Sequence, residues 1–173
     1  MIRLAKYDDL NRIMEIYQEA RNYMEANGNP DQWGKNHPPR QLLEEDIGKA
    51  QLYVYMEKGE VQAEDSIKEP EIIHGVFAFI IGPDPTYTYI EDGAWLNDEV
   101  YGTIHRIAGD GVAKGVFEKC LDFCKSQIAN LRIDTHHNNL TMQYLVEKNG
   151  FEKCGIVYME DGSPRIAYQY LAG

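Results

Sequence analysis

The residues with the clearest capacity for chemistry lie between Ile107 and Gly115, where three glycines and other small residues separate a predicted strand from a predicted helix. Glycine has no Cβ, so the backbone of such a loop can approach a ligand closely. Backbone N–H groups at a helix N-terminus bind phosphate oxygens, and the helix dipole favours the negative charge. The loop is therefore a candidate pyrophosphate site, with Lys114 as an added positive charge. A turn that only redirects the chain is the alternative.

The composition of the chain limits the classes of molecule that we expect it to bind. The chain has 173 residues and a formal net charge of −11, and we expect a single domain spanning residues 1–173. Nucleic-acid binders normally present a basic face, and the absence of any Lys/Arg cluster argues against a nucleic-acid partner. An acidic surface attracts cations, which favours a cationic or amine-bearing partner.

Neither a membrane span nor a metal site is expected. The longest apolar run, Gly75–Gly82, suits a buried strand, and the N-terminus lacks a signal-peptide pattern, so we expect a cytoplasmic protein without a membrane partner. The odd count of three cysteines favours small apolar groups in a reducing compartment. The pair His136-His137 lacks the spacing and partners of a metal site.

The hydrophobic pattern indicates a mixed α/β sheet with helices on both faces, in the order β-α-α-β-β-β-β-α-β-α-β-β. The predicted strands are Ile2–Ala5, Gln51–Glu57, Glu71–Gly82, Tyr87–Leu96, Val100–Ala108, Leu131–Thr135, Glu152–Met159 and Pro164–Leu171. The predicted helices run from about Asp9 to Asn27, Pro39 to Gly48, Lys114 to Asn130 and Asn139 to Asn149. Val61–Pro70 is predicted to be an exposed hairpin tip.

Two stretches together resemble the GNAT superfamily of N-acetyltransferases. One is the strand, glycine loop and helix start Tyr101–Gly115; the other is the strand Leu131–Thr135 with the helix that opens at Asn139 and ends at Gly150-Phe151. The element order matches that fold along the whole chain. The resemblance implies an α/β fold with a splayed central sheet.

The family signature, Q/R-x-x-G-x-G/A, fits the loop in two registers. Arg106–Gly111 matches it letter for letter, but it places the arginine inside the predicted strand. Val112–Phe117 lacks the arginine and ends in Phe, yet it puts Gly115 at the helix start, as the family does. We favour the second register.

The resemblance implies acetyl-CoA as cosubstrate, with its pyrophosphate on the loop and its pantetheine arm paired to the preceding strand. Asn139 matches an asparagine that contacts CoA in the family; a helix N-cap is its compatible structural alternative. The implied CoA-binding residues are Ile104, His105, Ile107, Gly109, Asp110, Gly111, Val112, Ala113, Lys114, Gly115, Val116 and Asn139.

The resemblance further implies that a primary amine attacks the thioester directly in a ternary complex. A base or a water chain must then deprotonate the amine. His105 is a candidate because histidine titrates near neutral pH. Asp98 and Glu99 precede the strand, where the family often has an acidic residue that receives the amine. A core histidine and solvated loop charges are the alternatives.

One departure from the family pattern concerns the general acid. Many members have a tyrosine four residues before the Gly-Phe pair, which protonates the departing thiolate, and Val146 stands there in this sequence. Tyr101, Tyr158 and Tyr168 are the candidates to replace it. The departure also motivates a second hypothesis, a non-catalytic acyl-CoA-binding or sensing module of the same fold.

The acceptor is expected to be a small-molecule or peptide amine. Trp33, in the polar loop between the first two helices, and Glu91, Trp95 and Tyr101 are the predicted acceptor contacts, and acids with aromatics suit a cationic amine. Polyamine, aminoglycoside, amino acid and protein N-terminus all remain open. Exposed edge strands in the C-terminal hairpin make a homodimer conceivable.

Overall fold

The computed structural model describes residues 1–60 and 68–173; most of the predicted hairpin tip Val61–Pro70 lies outside the described residues. The described part forms one sheet with four α-helices. The strands are β1 (Ile2–Leu4), β2 (Leu52–Lys58), β3 (Glu71–Ile81), β4 (Gly102–Gly109), β5 (Asn130–Thr135), β6 (Glu152–Tyr158) and β7 (Pro164–Leu171). The helices are α1 (Leu10–Ala26), α2 (Arg40–Gly48), α3 (Val116–Gln127) and α4 (Leu140–Lys148).

The sheet is mostly antiparallel and opens in its middle. Its strand order is β1-β2-β3-β4-β5-β7-β6, and only β4 and β5 pair in parallel. That pairing consists of Gly102 with Leu131 and Thr103 with Arg132, after which the two strands part. The mixed sheet and its central splay, both predicted, are confirmed.

The helices cover both faces of the sheet, as predicted. On one face, Leu10, Ile13 and Ile16 of α1 pack with Leu43 of α2, and each is at most 2% exposed. On the other face, α3 and α4 bury a second cluster that includes Phe117, Cys120, Cys124 and Val146. Amphipathic spacing of three and four residues produces these apolar stripes. None of the helices in the described part is long and apolar enough to cross a membrane.

The three cysteines lie in or beside these cores as free thiols. Burial raises the pKa of the Cys120 thiol to about 12, and it also raises the pKa of Cys124. A thiol held in this protonated state is a poor nucleophile and a poor metal ligand. The interpretation of Cys120 and Cys124 as small apolar groups agrees with this packing.

The predicted strand Tyr87–Leu96 is wrong. Residues Pro85–Tyr87 form a short 3-10 turn capped by Asp84, and the segment after it is a loop with a single bridge, Glu91 to Ile156 of β6. Its aromatic residues serve as anchors, because the Trp95 indole N–H donates to the Tyr87 carbonyl at 2.9 Å. The aromatic residues therefore gave this segment the composition of a strand, although it forms a loop.

This loop lies along the outer edge of β6. Backbone bonds join Glu91 to Ile156 in both directions at 2.8 Å, and Ala94 N–H donates to the Cys154 carbonyl at 3.0 Å. A Cβ on Gly93 would lie 1.9 Å from that carbonyl oxygen, so the close approach requires glycine. The loop therefore covers the β6 edge from Cys154 to Ile156.

A β-bulge distorts β4 where the sheet opens. Arg106 and Ile107 together oppose Phe77 of β3, and Arg106 has a φ of 51°, which is unusual for a residue with a side chain. The Tyr17 hydroxyl donates to the Arg106 carbonyl at 2.7 Å, and the Arg106 guanidinium forms an ion pair with Asp46 of α2. Helices α1 and α2 thus hold the bulge from one side of the sheet.

Candidate active site

Two cavities meet where β4 and β5 part. We call the larger the splay cavity; it has a volume of about 650 Å³ and lies over the parted strands, around Ile104, His105 and Asp134. The other, the loop cavity, has a volume of about 520 Å³ and lies against the glycine loop and the N-termini of α3 and α4. Both cavities are lined by the same four residues at their junction, Met24, Ile107, Asn139 and Met142.

His105 faces the splay cavity as one member of a His–Asp pair. Its Nε2 lies 2.7 Å from Oδ2 of Asp84, and the backbone N–H of Asp84 donates to the Tyr101 hydroxyl at 2.8 Å. An ionised carboxylate only accepts hydrogen bonds, so the neutral His105 ring carries its proton on Nε2. Nδ1 is then left as the ring nitrogen that can accept a proton.

Asp84 is held in its ionised form. Burial alone would raise its pKa, but hydrogen bonds from His105 and Thr86 lower the pKa of Asp84 to about 2. An ionised Asp84 orients the imidazole and stabilises the imidazolium that forms when His105 takes a proton. The pair therefore has the arrangement of a general base with its positioning residue.

We expect Asp84 to contribute to stability against acid. Its pKa falls from 3.8 in the unfolded chain to about 2, so its contribution is present above pH 4 and is lost as the pH falls through 2. At 1.36 kcal/mol per pKa unit, this shift corresponds to about 2 kcal/mol. The difference in unfolding free energy between wild type and Asp84→Asn should shrink from about 2 kcal/mol at neutral pH towards zero at pH 2, measured by urea denaturation.

The matched control for this prediction is Asp98→Asn, which changes an exposed carboxylate. It should leave the unfolding free energy nearly unchanged at every pH. A difference between wild type and Asp84→Asn that stays constant from pH 7 to pH 2 would contradict the prediction.

Asp134 lies across the opening from His105, two residues beyond the last paired position on each strand. The Tyr87 hydroxyl donates to its Oδ2 at 2.6 Å, and burial raises the pKa of Asp134 even though His105 and Arg165 oppose that effect. Burial also raises the pKa of Tyr87 well above its usual value. Asp84 and Asp134, on either side of the opening, thus differ in acidity.

The glycine loop bounds the loop cavity, and its backbone can be compared with the two registers of the family signature. Gly115 is the N-cap of α3 with a φ of 69°, in the left-handed region that glycine tolerates best. Arg106 lies in β4 and its guanidinium pairs with Asp46 of α2. Arg106 in the strand and Gly115 at the helix start are the positions that the favoured register predicts.

Some amides that were expected to face a pyrophosphate already have acceptors. The Asp110 N–H donates to the His74 carbonyl at 2.9 Å, while the Asp110 carboxylate accepts from Val112 N–H at 2.9 Å and Ala113 N–H at 3.4 Å. Within residues 1–60 and 68–173, no acceptor is found for the N–H groups of Gly111, Lys114, Gly115 and Val116. The donors available to a ligand are concentrated at the start of α3.

The Asp110 carboxylate is itself fixed by two cationic or polar groups. Arg12 Nη2 lies 2.8 Å and His74 Nδ1 lies 2.7 Å from its Oδ2. Burial acts in the opposite direction, but the hydrogen bonds from Val112, His74 and Ala113 lower the pKa of Asp110. Asp110 is therefore a loop-shaping residue whose charge is compensated from α1 and β3.

Asn139 joins the two cavities to the loop between α1 and α2. It is the N-cap of α4, where its Oδ1 accepts from Met142 N–H at 3.0 Å, and its Nδ2 donates to Gln32 Oε1 at 3.0 Å. Trp33 packs edge-on against Tyr17, with ring centroids 5.6 Å apart, and also lines the splay cavity. Both interpretations of Trp33, a core anchor and a cavity wall, therefore apply.

Several predicted site residues lie away from both cavities. Asp98 and Glu99 are exposed near the start of β4, at the end opposite the splay. Glu91 pairs with the Tyr158 hydroxyl, and Trp95 packs on Tyr87. Tyr101 contributes only indirectly, through its bond to Asp84. The structure does not bring these residues to either cavity.

Other residues of the splay cavity were missed as site residues by the sequence reasoning. Asp84 lies in Pro83-Asp84-Pro85, which follows the predicted strand Glu71–Gly82, and Arg165 lies within the predicted strand Pro164–Leu171. Gln32 and His37 also line the cavity, from the loop between α1 and α2, which we call the lid loop. The two prolines that flank Asp84 were the one available signal, because they fix the turn that places its carboxylate opposite His105.

The candidate replacements for the missing tyrosine do not reach the site. Val146 is fully buried in the core. Tyr101 and Tyr168 are buried, with their hydroxyls bound to Asp84 N–H and Glu147 respectively. None of Tyr101, Tyr158 and Tyr168 lines either cavity. The hydroxyls that line the loop cavity belong to Tyr23 and Thr141, and their oxygens lie 3.1 Å apart.

Among the residues that the structure describes, no group of three or more His, Cys, Asp or Glu side chains is arranged to hold a metal ion. Comparison with known proteins gives no match to a family model and none to a curated protein. Solved structures do match.

The chain is similar to an acetyltransferase of the GNAT family from Streptococcus agalactiae, with 30% identity and a TM-score of 0.84 over 100% of this chain and 95% of that chain. An N-acetyltransferase from Staphylococcus aureus is 20% identical, with a TM-score of 0.58 over 99% of this chain and 97% of that chain. The NatC complex bound to Gag peptide and CoA contains a chain that is 11% identical, with a TM-score of 0.55 over 100% of this chain and 98% of that chain. The last two similarities concern the fold alone.

Proposed function

The chain belongs to the GNAT family of acetyltransferases, and from this membership we propose that it transfers an acetyl group from acetyl-CoA to a primary amine by direct attack in a ternary complex. The observation that carries the proposal is the meeting of two cavities at the parted strands. One has unpaired amides at a helix start, and the other has a His–Asp pair.

The loop cavity fits the pyrophosphate and pantetheine of CoA. The N–H groups of Gly111, Lys114, Gly115 and Val116 are unpaired within the described residues, and they lie at the positive end of the α3 dipole. β4 offers its backbone beyond Thr103, where the pairing with β5 stops. Ile104 and Ile107 are the apolar residues on this strand that would contact the pantetheine arm.

Acetyl-CoA, when bound, supplies a thioester that an unprotonated amine can attack. His105 Nδ1 takes the proton of the amine, and Asp84 stabilises the resulting imidazolium through Nε2–H. The lid residues Gln32 and Trp33 limit the access of water and position the amine. A thiolate is a much better leaving group than an alkoxide, so the sulfur can depart as a thiolate and take a proton from solvent.

A second candidate function is a non-catalytic acyl-CoA-binding or sensing module. It is favoured by Val146, which lies in the core at the position where the family has its proton donor. The two candidates differ in turnover: incubation with acetyl-CoA and a panel of amines should release free thiol from the enzyme and none from the binding module. Tight acetyl-CoA binding without thiol release across the panel would favour the module.

We expect Gly115→Val to weaken acetyl-CoA binding. A β-branched residue at a φ of 69° is strained, and the strain distorts the start of α3 where the free amides converge. The dissociation constant should rise at least about tenfold, a loss on the order of that from one or two hydrogen bonds to a charged group. Isothermal titration calorimetry with acetyl-CoA measures it directly.

Gly162→Val is the matched control for this variant. Gly162 has a φ of 82° in the β6–β7 turn, and a Cβ added there would have no heavy atom within 4 Å, so the variant carries the same backbone strain away from the loop cavity. It should lose comparable stability and keep its acetyl-CoA affinity. Unchanged affinity in Gly115→Val would show that the pyrophosphate does not depend on this helix start.

A further inference from the structure

Arg165 is the unusual charge of the splay cavity. It lies at the start of β7, is 8% exposed and lines the cavity. Its guanidinium donates to the Gln32 carbonyl at 3.1 Å, the Pro164 carbonyl at 2.9 Å and the Ser163 hydroxyl at 3.2 Å, all neutral acceptors. No carboxylate of the described residues lies within ion-pair distance of it.

The other arginines of the chain differ from Arg165 either in their partners or in their distance from the splay cavity. Arg3, Arg12, Arg40 and Arg106 each contact a carboxylate. Arg132 stacks on aromatic rings, and Arg21 donates to the His37 carbonyl, and neither of them lines the splay cavity. A buried guanidinium is costly unless its charge is compensated. Arg165 therefore has the properties of a group that awaits an anionic partner from outside the chain.

The positive charge of Arg165 affects the pKa values of two histidines. It lowers the pKa of His37, after the larger effects of burial and Arg106, and it also lowers the pKa of His136, after burial and His137. His37 lies in the lid loop, and His136 directly follows β5. Burial lowers the pKa of Arg165, while Asp134 and Asp161 raise it from beyond ion-pair distance.

The sheet places Arg165 in line with the catalytic pair. Asp134 of β5 is directly opposite Ala167 of β7, so their side chains share one face, and Arg165 is two residues earlier on the same face. His105 lies across the opening from Asp134 on β4. His105 from β4 and Arg165 from β7 both line the cavity, and both act electrostatically on Asp134 between them in the sheet order.

We propose that the acceptor is a free amino acid, whose amine faces His105 and whose carboxylate is bound by Arg165. This inference rests on the proposed function and specifies the acceptor that it leaves open. A polyamine or an aminoglycoside would place further positive charge beside an uncompensated guanidinium, which is unfavourable. A single guanidinium among carboxylates suits a monoanionic carboxylate better than a phosphate dianion.

The remaining charges of the cavity indicate the side chain of that amino acid. Asp31 in the lid and Glu160 in the β6–β7 turn line the cavity and have no ion-pair partner among the described residues. Asp161 lies beside them, with its carboxylate bound by Ser163. Anionic groups at this rim attract a second positive charge. The acceptor is therefore a basic amino acid, with its side-chain cation at this acidic rim.

Three related amines test separately whether the acceptor needs a carboxylate and whether it needs a basic side chain. L-Arginine has a carboxylate, one primary amine and a cationic side chain; agmatine lacks only the carboxylate, and L-norvaline lacks only the guanidino group. Thiol release from acetyl-CoA gives kcat/KM for each. We expect agmatine to be at least about tenfold poorer than arginine, and norvaline to be poorer than arginine by a smaller factor, as the loss of one charged hydrogen-bonding partner predicts.

Arg165→Met should remove the preference, so that arginine and agmatine differ by less than about twofold, mainly through a higher KM for arginine. Arg165→Lys should keep part of the preference, and it also covers the case in which Arg165→Met folds poorly. Arg21→Met, which removes a buried guanidinium outside the cavity, should keep the wild-type ratio.

Two outcomes would overturn the inference alone: agmatine used as well as or better than arginine, or an unchanged arginine-to-agmatine ratio in a folded Arg165→Met variant. Equal use of norvaline and arginine would overturn the assignment of a basic side chain. Absence of thiol release with all three amines and with a broad amine panel would overturn the proposed catalytic function itself.

Discussion

His105→Gln should lower kcat/KM for acetyl transfer by about 10²- to 10³-fold, the range typical for removal of a general base. Glutamine can still donate a hydrogen bond to Asp84 Oδ2, which His105 Nε2 approaches at 2.7 Å, but it cannot take a proton from the amine. The loss should therefore be in kcat, and the acid limb of the kcat/KM pH profile should disappear with it. Steady-state thiol release from pH 5 to pH 9 measures both effects.

The affinity of this variant for acetyl-CoA should equal that of wild type, because the loop cavity is not lined by the His105 side chain. His137→Gln is the matched control, since His137 is exposed and lies outside both cavities. It should keep the wild-type rate and pH profile. A His105→Gln enzyme with a rate within about threefold of wild type would exclude His105 as the base, since such a change is below the usual effect.

Asp46→Ala should cost about 3 kcal/mol or more of unfolding free energy, because removal of one partner leaves the other charge buried and unpaired. The Asp46 side chain is 3% exposed and that of Arg106 is 14% exposed. Arg106 also has the positive φ of the β4 bulge, so the loss should loosen the strand that borders both cavities. Urea denaturation gives the stability, and calorimetry gives the accompanying loss of acetyl-CoA affinity.

A double variant separates the charge from the packing. In Asp46→Leu/Arg106→Met both charges are removed together, and apolar replacement of a buried pair is often neutral. Most of the lost stability should therefore return, whereas the acetyl-CoA affinity need not. If Asp46→Ala is within about 1 kcal/mol of wild type, the value of a surface pair, then the ion pair does not hold the bulge.

The overall fold could be predicted from the sequence because its signals are local. The apolar run of β3, the stripe of α1 and the left-handed glycine before α3 each determine an element without information from the rest of the chain. The glycine loop was predictable for the same reason, whereas the role of Asn139 was implied by the resemblance to the GNAT superfamily. The wrong strand at Tyr87–Leu96 shows the limit: aromatic residues that anchor a loop give the same composition as a strand.

The chemistry of the site was harder to predict because it depends on contacts between distant segments. Asp84 and His105 are 21 residues apart in the sequence, and their pairing follows from a turn that the Pro-Asp-Pro pattern only hints at. The pairing of Arg165 with the lid carbonyl of Gln32 spans 133 residues. Asp98 and Glu99 were predicted because the family often has an acidic residue just before this strand, and they lie at the end of β4 that is opposite the splay.

The central claim is that transfer takes place where the two cavities meet. A crystal structure with CoA and the acceptor amino acid tests it most directly. We predict the pyrophosphate at the N–H groups of Gly115 and Val116, the pantetheine arm along β4, and the sulfur at the cavity junction beside Ile107 and Asn139, with the amine nitrogen next to His105. CoA bound elsewhere on the chain would contradict the account. So would a sulfur that the paired part of β4 and β5 separates from His105.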